Sequence, residues 1–494
     1  MSLSKSRYCT GIRCKKELWL SCFKSEVAEE QDNDAVLDNG NKVGDFARGL
    51  FGDDYILIEY NDNKKIMIEE TKKYLDKKPN IICEASFNYN NNFCAVDVLK
   101  NDLDGVEIYE VKSSTEISDI YIDDISYQTW VLKKCGLNVK KSYLVHINSK
   151  YIKKGKVDRN KFFKIEEITP RDMGLIEENV KELESILNSD REPDIDISLA
   201  CKKNKMVSYD CPFFNYCIRN LPRPNIFDVG WRTSFNKKLD FYYNNLITYS
   251  DILASGGIST KADNQMNCEL NNLGKIIDRD SIKKLLSTFT YPLYFLDFES
   301  YQVAIPEIDG TRPYQQICFQ YSLHYYLEED GELFHKEYLS EDYDGNPMYG
   351  LCKQLCEDIP MNSCVLVYNQ SFEITRLKEM ASLFPEFSDH LLNIVDNIKD
   401  LLPPFRNQEY YVKEMGGSAS IKKVLPALFP GDEKLDYHNL EQVHKGDEAS
   451  NAYLSLKTLP YEEQEKLRYS LLRYCELDTY AMVKIWGKLK EVSE

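Results

Sequence analysis

The stretch YPLYFLDFES, residues 291–300, decides how the second half of this chain is read. It is an apolar run of strand length that opens after a proline and carries only two acids, Asp297 and Glu299. Strand side chains alternate between faces, so these two carboxylates, two residues apart, project from the same face. Alone, such a pair would be a strand end with solvated acids.

Two later stretches give the pair company. CVLVYNQSFEITRL at 364–377 reads as an apolar strand, a polar turn and a helix whose first turn carries Glu373. An acid there also answers the helix dipole. SLLRYCELDTYAMVKIW at 470–486 reads as a helix in which Tyr474 and Asp478, four apart, share a largely apolar face, so Asp478 is expected to point inward. Four acids so placed could converge around two divalent metals, which stabilise the attacking and leaving oxygens in phosphodiester cleavage. Ligands that are all oxygen select Mg²⁺ or Mn²⁺. Tyr474 would orient the attacking water or help deprotonate it.

The pieces D-F-E at 297–299, Y-N-Q-S-F-E at 368–373 and Y-C-E-L-D at 474–478 resemble, in order, the motifs of the DEDD superfamily of 3′–5′ exonucleases, in its tyrosine subclass. That resemblance implies a ribonuclease-H-like fold over residues 286–494. It also implies metal ligands at Asp297, Glu299, Glu373 and Asp478, with Tyr474 beside them. The chain departs at Glu373, where that superfamily usually has Asp. GGSASIKKVLPALFP at 416–430 resembles a segment of a poorly characterised domain commonly attached to nucleases. Its Lys422 and Lys423 would hold a phosphate backbone or cover a solvated helix face.

Residues 1–220 alternate helical and strand-like patterns: helices near 15–25, 42–50 and 123–136, and strands around 81–87, 92–99, 106–112 and 142–146. That order predicts an α/β domain on a mixed sheet. Asp97 lies in the strand NNFCAVDVLK, and after the turn DLDG the strand IYEVKSS carries Glu110 and Lys112 on one face. If the strands pair as a hairpin, all three meet. Two carboxylates with a lysine suit phosphodiester cleavage, the acids for Mg²⁺ and the lysine for water or developing phosphate charge. Read structurally, Glu110 and Lys112 would be an ordinary surface ion pair.

SYQTWVLKKCG, 126–136, follows as a helix with Gln128 near its start. The order Asp97, Glu110-x-Lys112, Gln128 resembles the PD-(D/E)XK nuclease superfamily, in particular the RecB-like branch and the CRISPR-associated iron-sulfur exonucleases. The resemblance implies a restriction-endonuclease-like fold with these four residues as its active site, and Glu84 in ICEASF as a further carboxylate. Relatives often carry a histidine metal ligand on an early helix, whereas GNKVGDFARGLF, 40–51, has none; the tyrosine often four residues after the glutamine is here Leu132.

Cys201, Cys211 and Cys217 lie in ACKKNKMVSYDCPFFNYC, and Cys9 and Cys14 in YCTGIRCKKELWL. Four thiolates drawn from both ends of a domain would suit Zn²⁺ or an iron-sulfur cluster, although scattered buried thiols are common. The RecB-like resemblance implies a [4Fe-4S] cluster on Cys14, Cys201, Cys211 and Cys217, with Zn²⁺ the alternative and Cys9 a competitor for Cys14. Its role would be to staple the domain's ends.

The whole chain has 494 residues, 43% apolar and 29% charged, enough for two or three cores. With 62 basic against 80 acidic residues its net charge is -18, which argues against wrapping nucleic acid on a basic surface but leaves room for a local groove. No run approaches a membrane span and no signal segment is apparent, so a cytoplasmic protein with no membrane partner is expected. Fifteen cysteines, an odd number, argue against a disulfide framework. The predicted organisation is α/β with two nuclease-like domains, 1–220 and 286–494, joined by a helical connector over 221–285. The resemblances imply a nuclease with two metal-dependent sites acting on DNA that is single-stranded or has free ends, or on RNA, in repair or defence against foreign nucleic acid. The alternative is a nucleic-acid-binding or assembly protein with one or both sites inactive.

Overall fold

Alternating apolar residues over 80–112 build the centre of one sheet, and the computed structural model describes it together with residues 1–30, 34–203, 209–343 and 345–494. The chain divides into two units, Met1–Leu221 with Val303–Tyr314, and Pro222–Gln302 with Gln315–Glu494. Both are mixed α/β. Among the described residues no helix is long and apolar enough to cross a membrane.

The first unit holds β1 (Leu3–Ser4), β2 (Ile56–Leu57), β3 (Asn80–Tyr89), β4 (Asn92–Asp102), β5 (Gly105–Lys112), β6 (Val139–Ile147) and β7 (Phe163–Ile168). Their order is β2-β3-β4-β5-β6-β7, with β1 pairing in parallel with the start of β4. The sheet is mixed, since β5–β6 is parallel and β3–β4, β4–β5 and β6–β7 are antiparallel. Asn90 and Asn91, both at positive φ, close the β3–β4 hairpin in two residues, the conformation that Asn tolerates best after Gly. Helices Lys5–Arg13, Asp119–Lys134 and Met173–Leu187 bury one sheet face around Tyr8, Ile125, Tyr127 and Leu183. Val43, Ala47, Phe162 and Tyr151 pack on a second core with Val98 and Val145. The helix expected at 42–50 runs Asp34–Ala47 and tightens into a 3₁₀ turn at Arg48–Phe51; Asn39, Gly40 and Asn41, poor helix formers, hid its beginning.

The second unit opens with the residues expected as a connector. Helices Phe235–Tyr243, Tyr249–Ala254 and Thr260–Glu269 gather a small core of Ile226, Tyr249, Ile252 and Met266. Trp231 N–H donates to the Gly417 carbonyl at 3.0 Å, and β8 (Ile276–Ile277) pairs with β14 (Tyr410–Tyr411). Residues from Pro222 onward are thus an integral part of this unit rather than a separate linker, because their few apolar side chains are buried. Its main sheet comprises β9 (Leu293–Tyr301), β10 (Ile317–Tyr326), β11 (Leu333–Leu339), β12 (Cys364–Val367) and β13 (Ile398–Asp400), in the order β11-β10-β9-β12-β13. β9, β10 and β11 are antiparallel, whereas β12 and β13 run parallel to β9. The long helix Tyr461–Ser493 crosses one face, with Trp486 edge-on to Phe295 at 5.8 Å and the Leu471 carbonyl accepting from Gln320. On the other, Tyr321 donates to Asp358 of helix Pro347–Asp358 at 2.7 Å.

Candidate functional site

β9 is the middle strand, and the direction of chain travel splits on either side of it, the place where open α/β sheets leave a crevice at strand ends. Asp297 and Glu299 stand near its C-terminal end. β12 ends beside them and passes through Asn369, at φ 78°, into helix Ser371–Leu383, whose first turn carries Glu373. The Asn369 N–H donates to Asp400 Oδ1 at 2.9 Å, which fixes that turn. From the long helix, Asp478 completes the set; Cys475 Sγ lies 3.9 Å from the Asp297 carbonyl.

The four acids are brought together and their charges conflict. Burial, then the charges of Asp478, Glu299 and Glu373, push the Asp297 carboxyl well above its ordinary range. Burial and Asp478 do the same to Glu299. Burial raises Asp478 to about 6, against a 2.6 Å hydrogen bond from Tyr437 and the charge of Lys422. Burial raises Glu373 to about 8, and its Oε2 is buried without a hydrogen-bond partner among the described residues. Among those residues none of the four acids forms an ion pair; Lys422 is the cation that lowers Glu299 and Asp478. A set of buried, mutually repelling carboxylates with an orphaned oxygen fits divalent cations. Tyr474 is buried too, and its phenol, held above its ordinary range by burial and these acids, accepts from Lys422 Nζ at 3.3 Å. Helix Gly446–Ser455 begins at the site, a Cβ at Gly446 falling 3.9 Å from Glu299 Oε2. Lys422, Lys423, Tyr437, His438, His444 and Lys445 line a cavity of about 1040 Å³.

In the first unit, β4 and β5 pair so that Val98 faces Tyr109, which sets Asp97 and Glu110 next in register. Val111 N–H donates to Asp97 Oδ2 at 2.7 Å. Lys112 Nζ donates to Glu110 Oε1 at 2.8 Å and to Asp124 Oδ2 at 2.6 Å, and Gln128 Nε2 donates to Glu110 Oε2 at 2.7 Å and to Asp124 Oδ1 at 2.9 Å. Glu84 joins from β3 at φ 58°, a left-handed conformation that an L residue adopts inside a strand only under constraint. Burial and the charge of Asp97 raise its carboxyl to about 7. Every sequence-predicted residue of this site is therefore in one place.

Two residues there escaped sequence reasoning. Asp124 stands one helical turn before Gln128, a spacing that could have exposed it. Lys5 gave no local signal, because it opens helix Lys5–Arg13 right after β1 and reaches the site only through the tertiary fold: its Nζ lies 3.3 Å from Asp97 Oδ1 and 3.0 and 3.2 Å from the two oxygens of Glu110. All four oxygens of Asp97 and Glu110 thus already accept a donor. As arranged, this donor set does not fit a divalent metal unless Lys5 withdraws.

Cys14, Cys201 and Cys217 lie close enough to act on one another's charge, and Cys211 N–H donates to the Cys201 carbonyl at 3.0 Å. Burial raises Cys211 to about 12 and Cys217 to about 11, while Arg13 and Lys16 favour the thiolates. Cys9 lies elsewhere, near Asp124, Lys112 and Glu110. Four thiols beside two cations fit a soft metal group. Residues 204–208, between Cys201 and Cys211, lie outside the described residues.

Residues 294–420 match a domain of unknown function, DUF2779, a span that holds Asp297, Glu299 and Glu373 and stops short of Tyr474. The chain is 27% identical over 402 residues to the uncharacterized protein MG366 of Mycoplasma genitalium, across 72% of this chain and 60% of that protein. It is 30% identical over 208 residues to the MG366 homolog of Mycoplasma pneumoniae, across 39% of this chain and 31% of that protein. With the uncharacterized protein UU173 of Ureaplasma parvum it shares 28% identity over 265 residues, 49% and 37% of the two chains. The chain thus spans 60% or less of the curated relatives it matches. No solved structure matches.

Proposed function

We propose that this chain is a metal-dependent nuclease whose second unit removes nucleotides from a 3′ end. The observation that carries this reading is the meeting of Asp297, Glu299, Glu373 and Asp478 in one buried place with no ion-pair partner among the described residues. Asp297, Glu299, Glu373 and Asp478 would hold Mg²⁺ or Mn²⁺, which when bound supplies charge stabilisation to the attacking and leaving oxygens. The chain's own residues do the rest. Tyr437 orients Asp478. Tyr474, one helical turn before Asp478, would position the nucleophile by hydrogen bonding. Lys422 and Lys423 line the cavity in which a phosphate backbone would lie. A sheet that changes direction at the strand bearing Asp297 supports the ribonuclease-H-like reading.

The first unit, with Asp97, Glu110, Lys112 and Gln128 on a mixed sheet, supports the PD-(D/E)XK reading, and its thiols Cys14, Cys201, Cys211 and Cys217 would hold a [4Fe-4S] cluster or Zn²⁺. Lys5 favours a second reading of its carboxylates: a site that grips a DNA end, or an RNA end, while the second unit does the chemistry. The test is hydrolysis of 5′-labelled single strands in Mg²⁺ or Mn²⁺. Products shortened stepwise from the 3′ end in wild type, and absent in Asp297→Asn, are expected; intact strands with the wild-type protein in both metals would overturn the proposal.

A further inference from the structure

His324 on β10 and His335 on β11 are direct cross-strand partners, with ring centroids 4.4 Å apart. They share the sheet face of Asp297, because Ser322 pairs with Asp297 and His324 lies two residues on. Glu476 approaches from the long helix, on the side of that helix away from Asp478. One ligand atom from each of the three lies within 4.8 Å of the other two. A small contraction would let one ion reach all three at the about 2.0–2.2 Å of zinc sites. We infer that His324, His335 and Glu476 form a binding site for a divalent ion of the zinc class, separate from the all-oxygen site beside it.

The hydrogen bonds identify the atoms that would bind. Thr479 has one hydroxyl proton; given to the Glu476 carbonyl at 3.1 Å, which can only accept, it sets one direction for the whole chain. Thr479 Oγ1 then accepts from Ser322 Oγ at 2.7 Å and from His324 Nδ1 at 2.8 Å. Ser322 Oγ in turn accepts from His335 Nε2 at 3.0 Å. In that arrangement each imidazole spends its proton inside the network. Burial keeps both rings neutral, His324 being lowered to about 3. The lone pairs are left on Nε2 of His324 and Nδ1 of His335.

His335 Nδ1 faces Glu476 Oε1 at 3.9 Å, while the other carboxylate oxygen is held by Arg473. A ring nitrogen and a carboxylate oxygen, both acceptors with no proton between them, gain nothing by facing each other unless a cation lies between. Two nitrogens and one oxygen select a zinc-class ion over Mg²⁺. Ser322 and Thr479 are the outer partners that hold the rings in the ligating tautomer. Solvent reaches the place: His324, Arg473 and Glu476 line a cavity of about 520 Å³, and the side chains of His335 and Glu476 are 22% and 27% exposed. An ion here would tie the β10–β11 hairpin to the helix that carries Tyr474 and Asp478.

The test uses the full chain, stripped of metal and titrated with Zn²⁺ in excess Mg²⁺ against a chromogenic chelator, with zinc counted by elemental analysis. Wild type is expected to take up one equivalent more than His335→Gln or Glu476→Gln, and Ser322→Ala to weaken that equivalent about 10- to 100-fold. His335→Gln keeps the side chain's bulk and can still donate to Ser322, and an unchanged near-ultraviolet dichroism separates loss of a ligand from loss of the fold. Zn²⁺ should also raise the unfolding temperature of wild type more than that of either variant. Equal zinc uptake, affinity and thermal shift in wild type and in folded His335→Gln would overturn the assignment.

Discussion

Lys5 Nζ lies 3.0 Å from Glu110 Oε1, a contact between residues 105 positions apart, and with its 3.3 Å approach to Asp97 it puts an ammonium among the first unit's carboxylates. The two acidic centres of this chain therefore differ in kind. One pairs Asp97, Glu110 and Asp124 with Lys5 and Lys112; the other gathers four carboxylates that form no ion pair among the described residues, with Lys422 as a nearby cation. The first carries cations of its own, and the second has the donor chemistry to take one from solution.

Lys5→Met should leave Asp97 and Glu110 without that cation and lower metal-free stability by on the order of 2–3 kcal/mol. Mg²⁺ should restore part of the loss, because the acids become free to bind it. Urea unfolding in chelator and in Mg²⁺ checks this; a midpoint unmoved in both buffers would contradict it.

Glu373→Gln should separate stability from function. The carboxyl is buried with an orphaned oxygen and its pKa is raised to about 8, so a neutral amide should stabilise the metal-free protein at pH 7 by on the order of 2 kcal/mol. Metal-dependent hydrolysis should fall by at least about 100-fold. Calorimetry and single-turnover kinetics read the two effects, and a variant that is both less stable and fully active would count against the site.

In chelator, stability should fall as pH rises. Asp478 and Glu373 have folded pKa values of about 6 and 8, above those of the unfolded chain, so the folded state binds the extra protons. Their stabilisation is complete below about pH 4 and is lost as pH climbs through 6 and 8, at roughly 1.4 kcal/mol per pH unit for each carboxyl inside its window. Denaturation midpoints from pH 5 to 8 test the sign; in Mg²⁺ the slope should flatten or reverse, since ligation needs the ionised acids.

Cys14→Ser should lose the iron or zinc that the proposed thiol set would hold, and Cys9→Ser should keep it, because Cys9 sits with Asp124 and Lys112 instead of with the other thiols. Metal content of anaerobically purified variants decides between them. Full metal in Cys14→Ser would contradict the assignment.

Much of this was legible where chemistry follows a short period. Asp297 with Glu299, and Glu110 with Lys112, show themselves by spacing two, and Tyr474 with Asp478 by spacing four. The residues that complete each site were not legible. Lys5 opens a helix far along the chain from Asp97 and Glu110, Tyr437 arrives through a 3₁₀ turn, and Asp400 orders the Asn369 turn from a strand of three residues. Neither so long a separation nor such short elements carry a periodic signal, so only tertiary packing reveals these residues. The stretch 221–285 read as a connector because it is polar, yet a few apolar residues, Ile226, Tyr249, Ile252 and Met266, suffice to fold it into the second unit.

The central claim is that the acids of the second unit, rather than those around Lys112, carry the hydrolysis. Single-turnover degradation of a 5′-labelled strand in Mg²⁺, comparing wild type, Asp297→Asn and Lys112→Ala, tests it most directly. The account predicts stepwise 3′ shortening that survives Lys112→Ala and is abolished by Asp297→Asn; degradation at the wild-type rate by Asp297→Asn would contradict it.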